Sequence, residues 1–447
     1  MSTAFGPTTF DKKRRPGANI ALAIALMSGA ALGVTAFEAP AHAQKNKKAS
    51  KPEYSDGFIA AYKPLEEGLN AETPDYNALK AALPGVLASA QTPDDKYVLG
   101  GIYYNVGAQL NDNALQYAGV KQMLESGGTP PDKVASFNKL AGQLAYNAQD
   151  YSASRTYLQR AIDAGEDSGE LSGLIAESYF QDNQYQKGLT YLNTAIESRQ
   201  ASGQDVDELW IKRGLAVAYE GDMAEEAVRY SEMYVSMYPS QSAWSDAIAI
   251  QRNLLQYQPQ ETLDLLRLAR RTDVLNNERD YLDYVDAADF RRLPGEVVAV
   301  LDEGIADGSL DETNPYVVEV RGNASQRIAA DRNELSSLAS DAEKAGASAT
   351  LVIATGDAFL NYEQPAKAEE FYTMALTAPG ADTSRALTRL GIAQLDQGKI
   401  AEAKASFAKV EGTRKPLAML WSAYADGLAT PTPTATAPVA EEAAPSS

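Results

Sequence analysis

Two serine–lysine pairs, Ser136 with Lys139 and Ser406 with Lys409, have the S-x-x-K spacing that sets a hydroxyl one helical turn from an amine base. Neither is accompanied by a K-T-G or G-x-S-x-G segment, and about one or two such matches arise by chance in a chain of this composition. The adjacent acids Glu225-Glu226 and Glu369-Glu370 are no catalytic dyads, because neighbours on a helix point about 100° apart and cannot converge on one atom. Asn323-Ala324-Ser325 has the form of a glycosylation acceptor, a triplet common by chance. The sequence has no acids at calcium-loop spacing and no glycine loop that would cradle a phosphate. Its 447 residues include no cysteine and one histidine, His42. Disulfides, thiol nucleophiles, Cys-ligated zinc and iron–sulfur clusters are thereby excluded. No catalytic residue, metal or cofactor is expected, and the chain reads as a non-enzyme.

His42 itself lies in a targeting segment. Lys12 to Arg15 form a basic start, Asn19 to Phe37 an apolar run, and Ala41-His42-Ala43 a small-residue cleavage site before Gln44. Residues 1–43 read as a bacterial signal peptide, which places the protein in the periplasm. Pro16 follows Arg14-Arg15 directly, which favours the general secretory route over twin-arginine export. The alternative is an uncleaved inner-membrane anchor, since the run approaches the ~20 residues that span a bilayer. Cleavage after Ala43 leaves 36 basic and 58 acidic residues, a net charge of −22, and no histidine. Such a surface repels nucleic acid and anionic lipid and suits a basic protein partner.

What must position any remaining function is a run of helices. Residues 44–54 are polar and lysine-bearing and read as a linker; residues 427–447 are rich in Pro, Ala and Thr and read as a disordered tail. Between them, residues 55–426 show helical patterns of ~12 to 16 residues broken by short Gly, Pro, Asn and Asp clusters, which predicts an all-α body. The segments repeat. Gly356, Ala368, Tyr372 and Ala375 overlay on Gly391, Ala403, Phe407 and Val410 with a shift of 35 residues. Ala176, Gly188, Leu192 and Ala195 form a third copy, and Gly142, Ser154, Leu158 and Ala161 a fourth, 34 residues upstream. A fifth starts at Trp210, with Gly214, Tyr219, Gly221, Ala227 and Pro239, and needs one inserted residue.

These segments resemble tetratricopeptide repeats, helical hairpins with small residues where two helices approach and large ones between neighbouring hairpins. The resemblance implies a right-handed superhelical solenoid. With degenerate copies at Phe58–Leu87, Leu99–Tyr117, Trp244–Ala269 and Tyr281–Ile305, it predicts eight or nine hairpins. Pro315 to Gly346 is expected to be a distorted pair of helices, Arg270 to Asp280 an internal joint, and Lys415 to Asp426 a closing helix. In this family the first helix of each hairpin lines a concave groove. Carrying that register over marks Lys139, Gln143, Tyr146 and Asn147, then Glu177, Phe180 and Gln181, then Tyr219, and further on Asp357, Asn361, Arg385 and Asp396 as groove positions. Tyr146, Phe180 and Tyr219 would form one aromatic track. The family's carboxylate clamp is not reproduced, because Glu170 and Leu174 stand where basic or amide groups are needed. The expected function is a periplasmic protein–protein interaction scaffold; the alternative is envelope-glycan binding or a part in envelope polymer assembly or export.

Overall fold

The computed structural model describes residues 52–429. The signal segment, residues 44–51 of the linker and the tail from Thr430 lie outside the described residues. Among those residues there are twenty α-helices and no strands. None of the helices is long and apolar enough to cross a membrane. The chain divides into two compact units, up to Glu166 and from Asp167 onward; the segment from Arg270 to Asp280 lies inside the second.

The first unit holds three hairpins: α1 (Asp56–Leu69) with α2 (Tyr76–Leu87), α3 (Pro93–Gln109) with α4 (Asn113–Glu125), and α5 (Val134–Asn147) with α6 (Tyr151–Asp163). Part of the stretch read as linker is anchored here: Glu53 N–H donates to Asp94 at 2.7 Å, and the Ser55 hydroxyl donates to Asp95 at 2.7 Å. Asp95 also accepts from the backbone of Ser55, Gln91 and Thr92. Burial alone would raise its pKa, but these donors outweigh it and hold the carboxyl at about 2.

The second unit continues with α7 (Ser168–Gln181) and α8 (Tyr185–Ala201), α9 (Glu208–Glu220) and α10 (Ala224–Met237), α11 (Gln241–Leu254) and α12 (Pro259–Arg271), and α13 (Glu278–Ala288) and α14 (Pro294–Ala306). A single long helix follows, α15 (Pro315–Ala342), where the sequence predicted two. Gly322, the residue best suited to break it, has open space around it and sits inside an uninterrupted helix. Two further hairpins, α16 (Ala349–Leu360) with α17 (Pro365–Ala375) and α18 (Thr383–Leu395) with α19 (Ile400–Phe407), precede α20 (Lys415–Ala429). That last helix runs three residues into the segment assigned to the tail.

The repeat spacing has a direct physical cause. A Cβ added at Gly356 would lie 2.6 Å from the Tyr372 ring, and at Gly142 within 2.6 Å of the Leu158 side chain. Gly214 meets Tyr230 and Gly391 meets Phe407 in the same way, so four hairpins share one glycine-to-large-residue contact at a separation of sixteen. The copy starting at Trp210 therefore needs no insertion inside its hairpin. Each close approach lets the backbone of one helix pack against a large side chain of the next. The turns inside seven hairpins also share a left-handed residue: Asn111, Gln149, Asn183, Asp222, Asp289, Glu363 and Gly398. Only one of the seven is glycine, which is why glycine and proline punctuation understates how regular the array is.

The second unit closes on itself. Helix α20 packs against α10, α11, α12 and α18. Leu417, Leu420 and Trp421 are fully buried, and the Trp421 indole N–H donates to the Asp264 carbonyl at 3.1 Å. Around that point lies a buried ionic core. Asp264 of α12 is fully buried and accepts from Arg267 at 3.0 Å, Arg389 at 3.2 Å and Arg414 at 2.7 Å. Arg389 of α18 also reaches Asp357 of α16 and Gln260. Arg267 grips Glu296 of α14 with two bonds of 2.7 and 2.6 Å. Burial opposes ionisation of Asp264, yet the guanidinium groups of Arg389, Arg414 and Arg267 hold its pKa well below the carboxylate range. Each of these charges is matched, as buried ions must be.

Candidate functional site

An open, largely apolar cleft lies along α9 and α11, the first helices of two successive hairpins. Leu215, Ala216 and Tyr219 of α9 and Ala249, Ile250 and Asn253 of α11 line a cleft of 430 Å³, together with Lys212, Asp246, Ser242 and Tyr234. Residues three, four and seven apart share one helix face, so each helix contributes a stripe. Ala249 and Asn253 also line an adjoining polar cleft of 570 Å³ bounded by Arg252, Tyr257, Thr262, Asn277, Arg279 and Asp280.

The charges along this groove are unevenly matched. Lys212 is 2.6 Å from Glu208 and stands 5.4 Å from the centre of the Tyr234 ring. Arg213 clamps Glu177 with bonds of 2.8 and 3.1 Å, and Arg252 pairs with Asp280 at 2.6 Å. Asp246 has neither an ion-pair partner nor a hydrogen bond among the described residues. Burial against the apolar wall raises its pKa, opposed by the charge of Lys212. Tyr219 is 44% exposed.

The groove positions carried over from the family register fall into different settings. In the first unit, Asn147 is exposed, Lys139, Gln143 and Tyr146 are half-buried, Lys139 lies 3.9 Å from Glu166, and Tyr146 meets Tyr151 edge to face. In the second unit, Tyr219 lies in the open cleft and Gln181 is exposed, bonding Glu177 at 2.7 Å. Phe180 is only 3% exposed: its ring presses on Gly188, and Arg213 covers it at 5.4 Å. It is packing between helices, so no exposed aromatic track runs through it.

Asp357, Arg385 and Asn361 belong to the closed region. Asp357 accepts from Tyr372 at 2.8 Å and from Arg385 at 3.1 Å, besides Arg389. Asn361 is buried, its side-chain oxygen accepting from Glu296 N–H at 2.7 Å. Asp396 pairs with Arg271, and both line, with Asn361, a second polar cleft of 720 Å³ in which Arg267–Glu296 and Arg270–Glu303 are also paired.

Lys212, Asp246 and Asn253 were not singled out in the sequence. A signal was present: Trp210 and Trp244 are 34 residues apart, and the same shift carries Lys212 onto Asp246 and Tyr219 onto Asn253. The degenerate copy at Trp244 lost its glycine, since Ile248 replaces Gly214 in that register, and with it the landmark that fixes the frame.

The fold and this groove define an all-α protein built of tetratricopeptide-like helical hairpins. No protein-family model and no curated protein sequence matches the chain. Among solved structures, Naa15/Naa10 bound to HypK-THB is similar with 15% identity and a TM-score of 0.36, over 81% of this chain and 67% of that one. The yeast Sti1 TPR2AB domain in a pHSP90 complex has 14% identity and a TM-score of 0.24, over 66% and 97%. The P58(IPK) TPR domain has 12% identity and a TM-score of 0.19, over 84% and 99%.

Proposed function

We propose that this chain is a non-enzymatic interaction scaffold that takes an extended segment of a partner protein along α9 and α11. The observation that carries this reading is the cleft itself: an exposed tyrosine, an amide and an unpaired carboxylate converge on a wall of Leu215, Ile250 and two alanines. Interfaces draw affinity from such aromatic anchors set in apolar surroundings, with polar groups fixing orientation. The clustered ionisable groups elsewhere serve structure: Asp264, Glu296 and Asp357 of the buried ionic core each face an arginine. The targeting features of residues 12–43 support export and a periplasmic site of action; sequencing of the purified protein would start at Gln44, and an intact Met1 or Ser2 in the membrane fraction would contradict it.

Affinity capture from envelope extracts tests the scaffold reading. The expected result is a protein bound at 1:1 stoichiometry, whose capture is lost with Tyr219→Ala at an unchanged melting temperature. Binding only to cell-wall or polysaccharide fractions would replace this reading with glycan recognition, and capture indifferent to Tyr219→Ala would move the site away from α9 and α11.

A further inference from the structure

Asp246 is the one carboxylate lining the α9–α11 cleft; it is exposed beside Leu215 and Ile250 and makes no ion pair or hydrogen bond among the described residues, feeling the charge of Lys212 only at longer range. Three other acids along these first helices are matched, Glu177 by Arg213, Asp280 by Arg252 and Glu208 by Lys212. Lys212 lines the same cleft, but its charge is offset by Glu208 at 2.6 Å, so the cleft retains a net negative charge at Asp246. An exposed carboxylate beside an apolar wall, with no ion pair or hydrogen bond of its own, is open to a charge-assisted hydrogen bond from an incoming cation. Two further features fix the kind of ligand. Asn253 lies seven residues beyond Asp246, two helical turns or about 10.5 Å along α11, which is about the length of three residues of extended chain. Between them run Ala249 and Ile250, facing Leu215 across the cleft.

We propose that the cleft recognises an extended peptide segment bearing a lysine or arginine side chain that pairs with Asp246. Its backbone amide about three residues away bonds Asn253, and an aliphatic side chain in between rests on Leu215 and Ile250. The net charge of −20 on the whole chain draws such a segment in, while Asp246 sets its register. This inference rests on the groove reading above and names the partner's chemistry.

Selection of random twelve-residue peptides displayed on phage, panned on the purified full chain and in parallel on Asp246→Asn, tests it. The expected outcome is enrichment of one Lys or Arg with an aliphatic residue one to three positions away, absent from the Asp246→Asn pool. The leading peptide, made synthetically and followed by fluorescence anisotropy, should bind Asp246→Asn about tenfold or more weakly. Replacing its cation by norleucine should cause a similar loss on the unaltered protein, and the two changes together little more than either alone. Enriched peptides without a basic residue, whose binding falls with Tyr219→Ala, would overturn the cation assignment and leave the groove reading standing. The same basic peptides from both pools would show attraction to the acidic surface at large and overturn the role of Asp246. No selected peptide at all would overturn both readings.

Discussion

Replacing Glu232 by glutamine should stabilise this protein, and increasingly so as pH rises. Glu232 lies on α10 beneath α20 and is 9% exposed; one of its carboxylate oxygens, Oε1, has no hydrogen-bond donor. Burial pushes its pKa up to about 8, against a weak opposing pull from Lys415. The neighbouring Tyr257 spends its hydroxyl on Gln251 at 2.8 Å rather than on Glu232, and its own pKa is raised by burial and by the Glu232 charge. In the unfolded chain Glu232 titrates near the ordinary value of 4.5. Below that value both states are protonated and nothing is lost. Between 4.5 and 8 the unfolded state has released its proton while the folded state still holds one, so stability falls by about 1.4 kcal/mol per pH unit. The cost is about 3 kcal/mol at pH 7 and about 5 kcal/mol above pH 8. Glu232→Gln carries no charge to desolvate. Thermal melts followed by circular dichroism at pH 5, 7 and 9 should show wild type and variant close together at pH 5. At pH 7 the variant should melt about 5–10 °C higher, and the gap should widen at pH 9. A variant no more stable than wild type at pH 9 would mean that the folded protein holds an ionised Glu232 paired with Lys415, and the reasoning would fail.

The buried ionic core should show the opposite sign. Asp264→Asn leaves Arg267, Arg389 and Arg414 facing one another without their shared anion, at a cost of about 3–5 kcal/mol in urea unfolding. Because Asp264 and Asp357 titrate below their ordinary value when folded, their contribution is complete above about pH 4 and is lost as pH falls further, so wild type should unfold in acid where Asp264→Asn changes less. Truncation from Thr430 should leave the melting temperature unchanged. Truncation from Lys415 removes three fully buried side chains, Leu417, Leu420 and Trp421, and about 4–9 kcal/mol; equal melting of the two would contradict the closing role of α20. Gly356→Ala drives a methyl into the Tyr372 ring and should destabilise by about 1–3 kcal/mol, whereas Gly85→Ala meets nothing within 4 Å in the last turn of α2 and should stabilise by about 0.5 kcal/mol. Melts of the two variants side by side distinguish a packing glycine from an idle one.

The sequence by itself determined whatever depends on residues close along the chain. The contacts of Gly356 with Tyr372 and of Gly391 with Phe407 are made within sixteen residues, inside one hairpin, so each selects its residue types at a fixed spacing that repeats. The helical class, the hairpin register and the apolar stripe of Leu417, Leu420 and Trp421 on α20 follow from that periodicity. The single helix α15 did not: the sequence reads Pro315 to Gly346 as two helices, whereas one helix runs from Pro315 to Ala342 and packs against α14 and α16. Nor did the ionic core. Asp264 and Arg389 are 125 residues apart and Asp264 and Arg414 are 150 apart. Charged residues on periodic helices read as solvated faces, or, for Asp357 and Arg385, as walls of a groove. Closure of the second unit by α12, α18 and α20 removes water from them, and each charge then has to find its partner across the fold. A spacing rule records contacts within a hairpin; it holds no information about which distant hairpin will close over a given carboxylate, and that choice is made by packing alone.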